Sequence, residues 1–186
     1  ASLLEVEKLA LRTMHLSSHL CGKYVREFLS GDYPKPIDIY RMLQTGRIQL
    51  NFHKEPHLEY FDENKCSVLT WHIGPIIIQM DGTRNESIFY HLKFSGNKIV
   101  PLFDLSGGAG VLPQEWPEAE VGYCGYAGGL GPENIKEELP KIQKAAGINK
   151  FWIDMETQVR SPDNSHLDLT KVEKVLQYCS QYIVTP

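Results

Sequence analysis

The chain has 186 residues, 42% of them hydrophobic, and a formal net charge of −4. That is enough apolar material for the core of one domain spanning residues 1–186. The weak negative charge provides no electrostatic footprint for nucleic acid or an anionic membrane as partner. No apolar run approaches the roughly 18 residues of a membrane span. The four cysteines, Cys21, Cys66, Cys124 and Cys179, are widely spaced with no CxxC pair, so reduced thiols and a cytoplasmic location are expected. Ala1 to Met14 mixes charges into a helical pattern and lacks a signal-peptide layout.

Leu3, Leu4, Val6, Leu9 and Leu11 predict a first helix with one apolar stripe. His15 to Cys21 reads as a strand ending at Gly22, and Lys23 to Leu29 as a short helix. Pro34 and Pro36 punctuate a loop before a helical candidate at Ile37 to Leu43. Arg47 to Phe52 is a strand. His53 to Lys65 is polar and irregular, and Ser67 to Ile73 is ambiguous. Pro75 to Met80 carries three isoleucines, the pattern of a strand covered on both faces. Ser87 to Phe94 is a helix. Strands follow at Ile99 to Leu105 and Val121 to Ala127. Glu133 to Ala146 is a helix that Pro140 should bend or break. Phe151 to Met155 is the last strand. Asp168 caps a final helix with Leu169, Val172, Val175, Leu176, Cys179 and Ile183 on one stripe. Strands alternating with helices predict parallel strands and crossover helices, an α/β fold of the TIM-type (β/α) barrel. Six strands and one doubtful one fall short of eight, so the expectation is either a first strand absent from this chain or a reduced barrel.

Side chains alternate along a strand. Gln49, Asn51 and His53 share one face, opposite Ile48, Leu50 and Phe52. The same parity joins His19 to Cys21, Gln79 to Asp81, Asp104 to Ser106, and Asp154 to Glu156. Five strands thus carry polar residues at their C-terminal ends, where parallel barrels build their sites. His19, Asn51, His53, Gln79, Asp81, Asp154 and Glu156 are the candidate pocket residues. The bland alternative is that they are strand caps and turn formers.

Ala127-Gly128-Gly129-Leu130-Gly131-Pro132-Glu133-Asn134 runs from a strand into a helix, and Ser106-Gly107-Gly108-Ala109-Gly110 supplies a second glycine loop. Glycine lets backbone approach a ligand closely, and helix-start N–H groups attract anions. Gly107, Gly108, Gly128, Gly129 and Gly131 therefore form a candidate phosphate site. Arg160, beyond the last strand, is placed either to add a contact or to narrow the site. Plain turn chemistry is the competing account.

These segments resemble the phosphoribosylanthranilate isomerase family of (β/α)8 barrels. Phe103-Asp104-Leu105-Ser106-Gly107-Gly108-Ala109-Gly110, with Trp116 beyond it, resembles the family's aspartate-bearing strand and glycine loop. The stretch Ala127 to Asn134 resembles its phosphate loop. Phe151-Trp152-Ile153-Asp154-Met155-Glu156, Ile78-Gln79-Met80-Asp81-Gly82 and His19-Leu20-Cys21-Gly22 resemble three further family strands. The match is best over Pro75 to Ile183. The resemblance implies an Amadori-type isomerisation of a small phosphorylated sugar by acid–base catalysis. It implies Asp104 as acid and Cys21 as base, with no metal or organic cofactor.

Two alternatives stay open. One is a metal-dependent barrel enzyme using His19, His53, Asp81, Asp154 and Glu156, although no HxH or HExxH spacing supports it. The other is a non-catalytic phosphate-ligand binder of the same fold. Cys66, Cys124 and Cys179 read as core residues, and Trp71, Trp116 and Trp152 as packing anchors. His57, His72, His91 and His166 have no context that lifts them above surface or core roles. Oligomeric state is not legible.

Overall fold

The computed structural model describes residues 17–32, 46–70, 75–120 and 122–183. The helices expected at Leu3 to Leu11 and Ile37 to Leu43 lie outside the described residues, as do Trp71 and His72. The described strands are β1 (Ser17–Cys21), β2 (Arg47–Asn51), β3 (Ile76–Met80), β4 (Ile99–Phe103), β5 (Cys124–Tyr126) and β6 (Phe151–Ile153). The described helices are α1 (Lys23–Leu29), α2 (Glu63–Thr70), α3 (Glu86–Phe94), α4 (Ile135–Ala146) and α5 (Leu169–Cys179). Strand order follows chain order, β1-β2-β3-β4-β5-β6. The described ladder pairings are all parallel. This is the expected α/β architecture of the (β/α)-barrel type. The chain divides into two compact units, 1–101 and 102–186, with β4 lying across the boundary.

In the first unit the alternation of β2 works as anticipated. Ile48, Leu50 and Phe52 are fully buried, each worth roughly 1.5–3 kcal/mol of hydrophobic transfer. All five residues of β3 are buried. Helix α1 covers the core with Val25, Phe28 and Leu29, one stripe at helical spacing. It ends where Gly31 adopts φ 76 and the Asp32 N–H reaches back to Glu27 O at 2.9 Å, a glycine helix stop. Helix α3 buries Ile88, Phe89 and Leu92 in the same way. Helix α2 begins at Glu63, inside the stretch expected to be irregular. Its first turn, Glu63-Asn64-Lys65-Cys66, holds one buried residue, Cys66, too little for a periodic signal.

The second unit packs around Trp116, Tyr126, Leu130, Val159, Val175 and the α4 stripe Ile135, Leu139, Ile142 and Ala146. Of the bend or break expected at Pro140, the break does not occur, and α4 runs through it. Pro140 is exposed, so the Lys136 carbonyl that loses an N–H partner can turn to water. Gly125 is required by packing. A Cβ there would run into the Trp152 ring and the Leu102 side chain. Of the seven-residue segment anticipated from Val121 to Ala127, among the described residues only Cys124 to Tyr126 are paired on the ladder. Asp168 caps α5 as expected, accepting from the Thr170 and Lys171 N–H groups at 3.0 and 3.2 Å. The anticipated α5 stripe is narrower in fact. Val175 is buried and Val172 and Cys179 partly so, whereas Leu169, Leu176 and Ile183 are exposed.

Candidate functional site

The first unit gathers polar groups at the C-terminal ends of β1 and β2. Ladder register sets His19 opposite Gln49 and Cys21 opposite Asn51. The Gln49 amide donates to Asn51 Oδ1 at 3.0 Å and lies 3.5 Å from His19 Nδ1. The Asn51 amide points at Cys21 Sγ at 3.7 Å. His53 Nε2 lies 3.3 Å from the same sulfur. Cys21 is exposed. Four of the residues singled out in the sequence, His19, Cys21, Asn51 and His53, therefore meet, and Gln49 joins them. The parity of β2 already pointed to Gln49.

Gln79 and Asp81 do something other than face a pocket. Both are buried, and their oxygens are aimed at backbone. Gln79 Oε1 accepts the N–H groups of Phe52 and His53 at 2.6 and 2.9 Å. Asp81 Oδ2 accepts the Lys54 N–H at 3.0 Å, and Oδ1 accepts from the Thr83 N–H and hydroxyl. The clamped residues are unusual: His53 and Lys54 sit at φ 51 and 59, a left-handed conformation that side chains disfavour. Asn85 continues the clamp, accepting from the His57 N–H at 3.0 Å and donating to Glu55 O at 2.8 Å. His57 is fully buried. Its Nε2 pairs with Phe52 O at 3.1 Å, while Nδ1 has no hydrogen-bond partner among the described residues. Burial pushes its pKa below the ordinary histidine value, against the pull of the Phe52 carbonyl and the Glu55 carboxylate. Asn85 and His57 carried no sequence signal, since their roles arise only once β3 and the 52–57 loop are side by side. Beside this loop lies an open depression of about 460 Å³ whose lining includes Lys54, Glu55, Thr83 and Arg84.

The second unit carries Asp104 immediately after β4. It is buried. Oδ1 accepts the Ser106 hydroxyl at 2.6 Å and Oδ2 accepts the Gly108 N–H at 3.0 Å. The Gly107 N–H goes to Asp104 O and the Gly110 N–H to Ser106 Oγ. The first glycine loop thus uses these donors internally, one of them on the Asp104 carboxylate. Gly107 and Gly108, at φ 63 and 87, permit that arrangement. In the second loop a Cβ on Gly128 would stand 3.1 Å from Asp104 Oδ1 and Val111 O. One on Gly129 would stand 2.5 Å from Leu112 N, and one on Gly131 2.5 Å from Gln158 Cβ. These glycines let protein approach protein. Asn134 fastens the turn, accepting from the Gly131 N–H and donating to Gly129 O.

Arg160 donates Nε and Nη2 to Asn164 O within its own loop, at 3.2 and 3.1 Å. Asp154 follows β6 half-buried, its N–H on Tyr126 O at 2.9 Å. Glu156 is exposed. Among the described residues, no group of three or more His, Cys, Asp or Glu side chains is arranged to hold a metal ion. Among the same residues, no helix is long and apolar enough to cross a membrane.

No protein-family model matches the sequence, and no curated protein matches it. The fold is that of two solved structures. Monomers of the dimeric phosphoribosylanthranilate isomerase from Thermotoga maritima match with a TM-score of 0.58 at 12% identity, over 97% of this chain and 80% of that one. A second structure of phosphoribosylanthranilate isomerase from the same organism matches with a TM-score of 0.55 at 11% identity, over 97% and 81%. The class defined is an α/β barrel-type fold like that of phosphoribosylanthranilate isomerase.

Proposed function

We propose that the chain is an acid–base isomerase acting on a small phosphorylated sugar by an Amadori-type shift, with Cys21 as base and Asp104 as acid. The observation that carries this reading is the setting of those two residues. Each ends a parallel strand, where barrel folds place their chemistry, and each is met by polar partners that fix its orientation. Likeness of fold to phosphoribosylanthranilate isomerase supports it. In such a reaction Asp104 protonates the ring oxygen as the sugar opens, and Cys21 removes the C2 proton. Each transfer typically contributes 10²- to 10⁴-fold in rate. The phosphate falls to the start of the second glycine loop, at Gly128 and Gly129. The internal bonds at Gly107, Gly108, Gly110 and Gly131 mean that those four donors are already engaged by protein acceptors.

Turnover of phosphoribosylanthranilate and a panel of phosphorylated aminosugars tests the reading. Expected is activity that falls at least 10²-fold in Cys21→Ala and in Asp104→Asn. Activity that survives both substitutions, or wild-type protein inert to every substrate, overturns it. Thermal stabilisation by the same phosphates without turnover would favour a binding protein of this fold.

A further inference from the structure

We propose that Cys21 and His53 form an activated thiol, a solvent-facing nucleophile at the end of β1 that reacts with soft carbon electrophiles. The thiolate is the reactive form of cysteine, and an adjacent imidazole promotes it by taking the proton. His53 Nε2 stands 3.3 Å from Cys21 Sγ, within reach for that transfer. The Asn51 amide, 3.7 Å away, offers the anion a second donor. Among the described residues, His19, opposite Gln49 on the same face of the ladder, is a further titratable group drawn into this cluster.

The backbone that carries His53 is fixed. A left-handed histidine followed by a left-handed lysine is strained and persists only where surroundings over-determine it. Gln79 and Asp81 supply that constraint through the N–H groups of Phe52, His53 and Lys54. The other thiols show the contrast. Cys66 is buried and pushed up to about 12, chiefly by desolvation, and burial likewise raises Cys124 and Cys179.

In the reaction with iodoacetamide, the Cys21 proton moves to His53 Nε2. The sulfur lone pair then forms a C–S bond to the methylene carbon, and iodide leaves. The inference does not rest on the isomerase reading, because no sugar phosphate takes part, and the two can fail separately.

Alkylation of the full chain at neutral pH, resolved by cysteine in mass spectrometry, is the test. An ordinary thiol is only a few per cent ionised at neutral pH. Cys21 is therefore expected to react on the order of tenfold faster than a free thiol and faster than Cys66, Cys124 and Cys179. His53→Asn keeps a residue tolerant of the left-handed conformation while removing the base. It should cut the Cys21 rate on the order of tenfold, abolish the thiolate ultraviolet absorbance that Cys21→Ser also removes, and leave the melting midpoint close to wild type. A wild-type Cys21 no faster than a free thiol overturns the proposal without any variant. So does His53→Asn with undiminished rate and absorbance.

Discussion

Gln79 Oε1 takes the N–H groups of Phe52 and His53 at 2.6 and 2.9 Å, so one buried amide oxygen on β3 sets the backbone of a left-handed histidine in the loop after β2. Truncation removes the acceptor and strands the donors. Gln79→Ala should destabilise the protein by about 2–4 kcal/mol, since each buried unpaired donor costs roughly 1–3 kcal/mol. Gln79→Glu, which keeps an acceptor oxygen, should cost less. Urea unfolding of the two variants measures the difference. Equal stability of Gln79→Ala and wild type would show that this bond does not hold the loop.

The glycines after β5 should rank by what surrounds them. Gly129→Ala combines φ 67 with a backbone nitrogen 2.5 Å from the new methyl, and the conformation alone costs roughly 1–2 kcal/mol. A loss above about 2 kcal/mol is expected. Gly131→Ala lacks the positive φ and meets Gln158 Cβ instead. Its loss should shrink when Gln158→Gly is added, a coupling that a double-mutant cycle reads directly.

His57 should make stability fall on the acid side of neutrality. Its folded-state pKa lies below the ordinary 6.5, because burial disfavours the imidazolium. The unfolded chain therefore binds the extra proton first. Stability is complete above about 6.5 and is lost as pH falls from there through the depressed folded value. A His57→Phe variant should flatten this part of the pH–stability curve, whatever its absolute stability. An unaltered slope between pH 7 and 5 would remove His57 as its cause.

Trp116 and Glu138 form the polar hinge of the second unit's core. The indole N–H donates to Glu138 Oε2 at 2.8 Å, and Lys141 Nζ meets Oε1 at 2.7 Å. Burial pushes the Glu138 carboxyl up, but these two donors outweigh it and leave it below the usual value. Trp116→Phe should cost about 2 kcal/mol or more, as a hydrogen bond to a charged group is worth roughly 1.5–3 kcal/mol and ring area is lost as well. Thermal unfolding reads it, and a shift below 1 °C would contradict the assignment.

Sequence periodicity carried β2, β3 and α4 because their apolar residues recur at spacings that only one secondary structure satisfies. It missed the start of α2, where the first turn is polar, left the rest of that helix ambiguous, and overextended the α5 stripe through Leu169 and Leu176, which face solvent. At the candidate site, parity was sufficient to bring Cys21, Asn51 and His53 to one face. It was blind to direction. Gln79 and Asp81 sit at the right end of the right strand, β3, yet their oxygens serve neighbouring backbone. The glycine loops show the same gap. A chain of glycines reads alike whether the approaching atom belongs to a ligand or, as at Gly129, to Leu112. Only tertiary contact separates the two.

The serial strand order has a kinetic consequence. Ser17 pairs with Arg47, Ile48 with Ile76, Leu102 with Gly125 and Cys124 with Phe151, so these crossings span 23 to 30 residues. Loop-closure entropy grows only as the logarithm of length, and across that range it varies by about 0.2 kcal/mol. None of these four crossings is entropically privileged. The order in which strand pairs zip together is then left to local apolar content, which makes the isoleucine run of β3 the natural seed for the first unit and the α4 stripe the seed for the second.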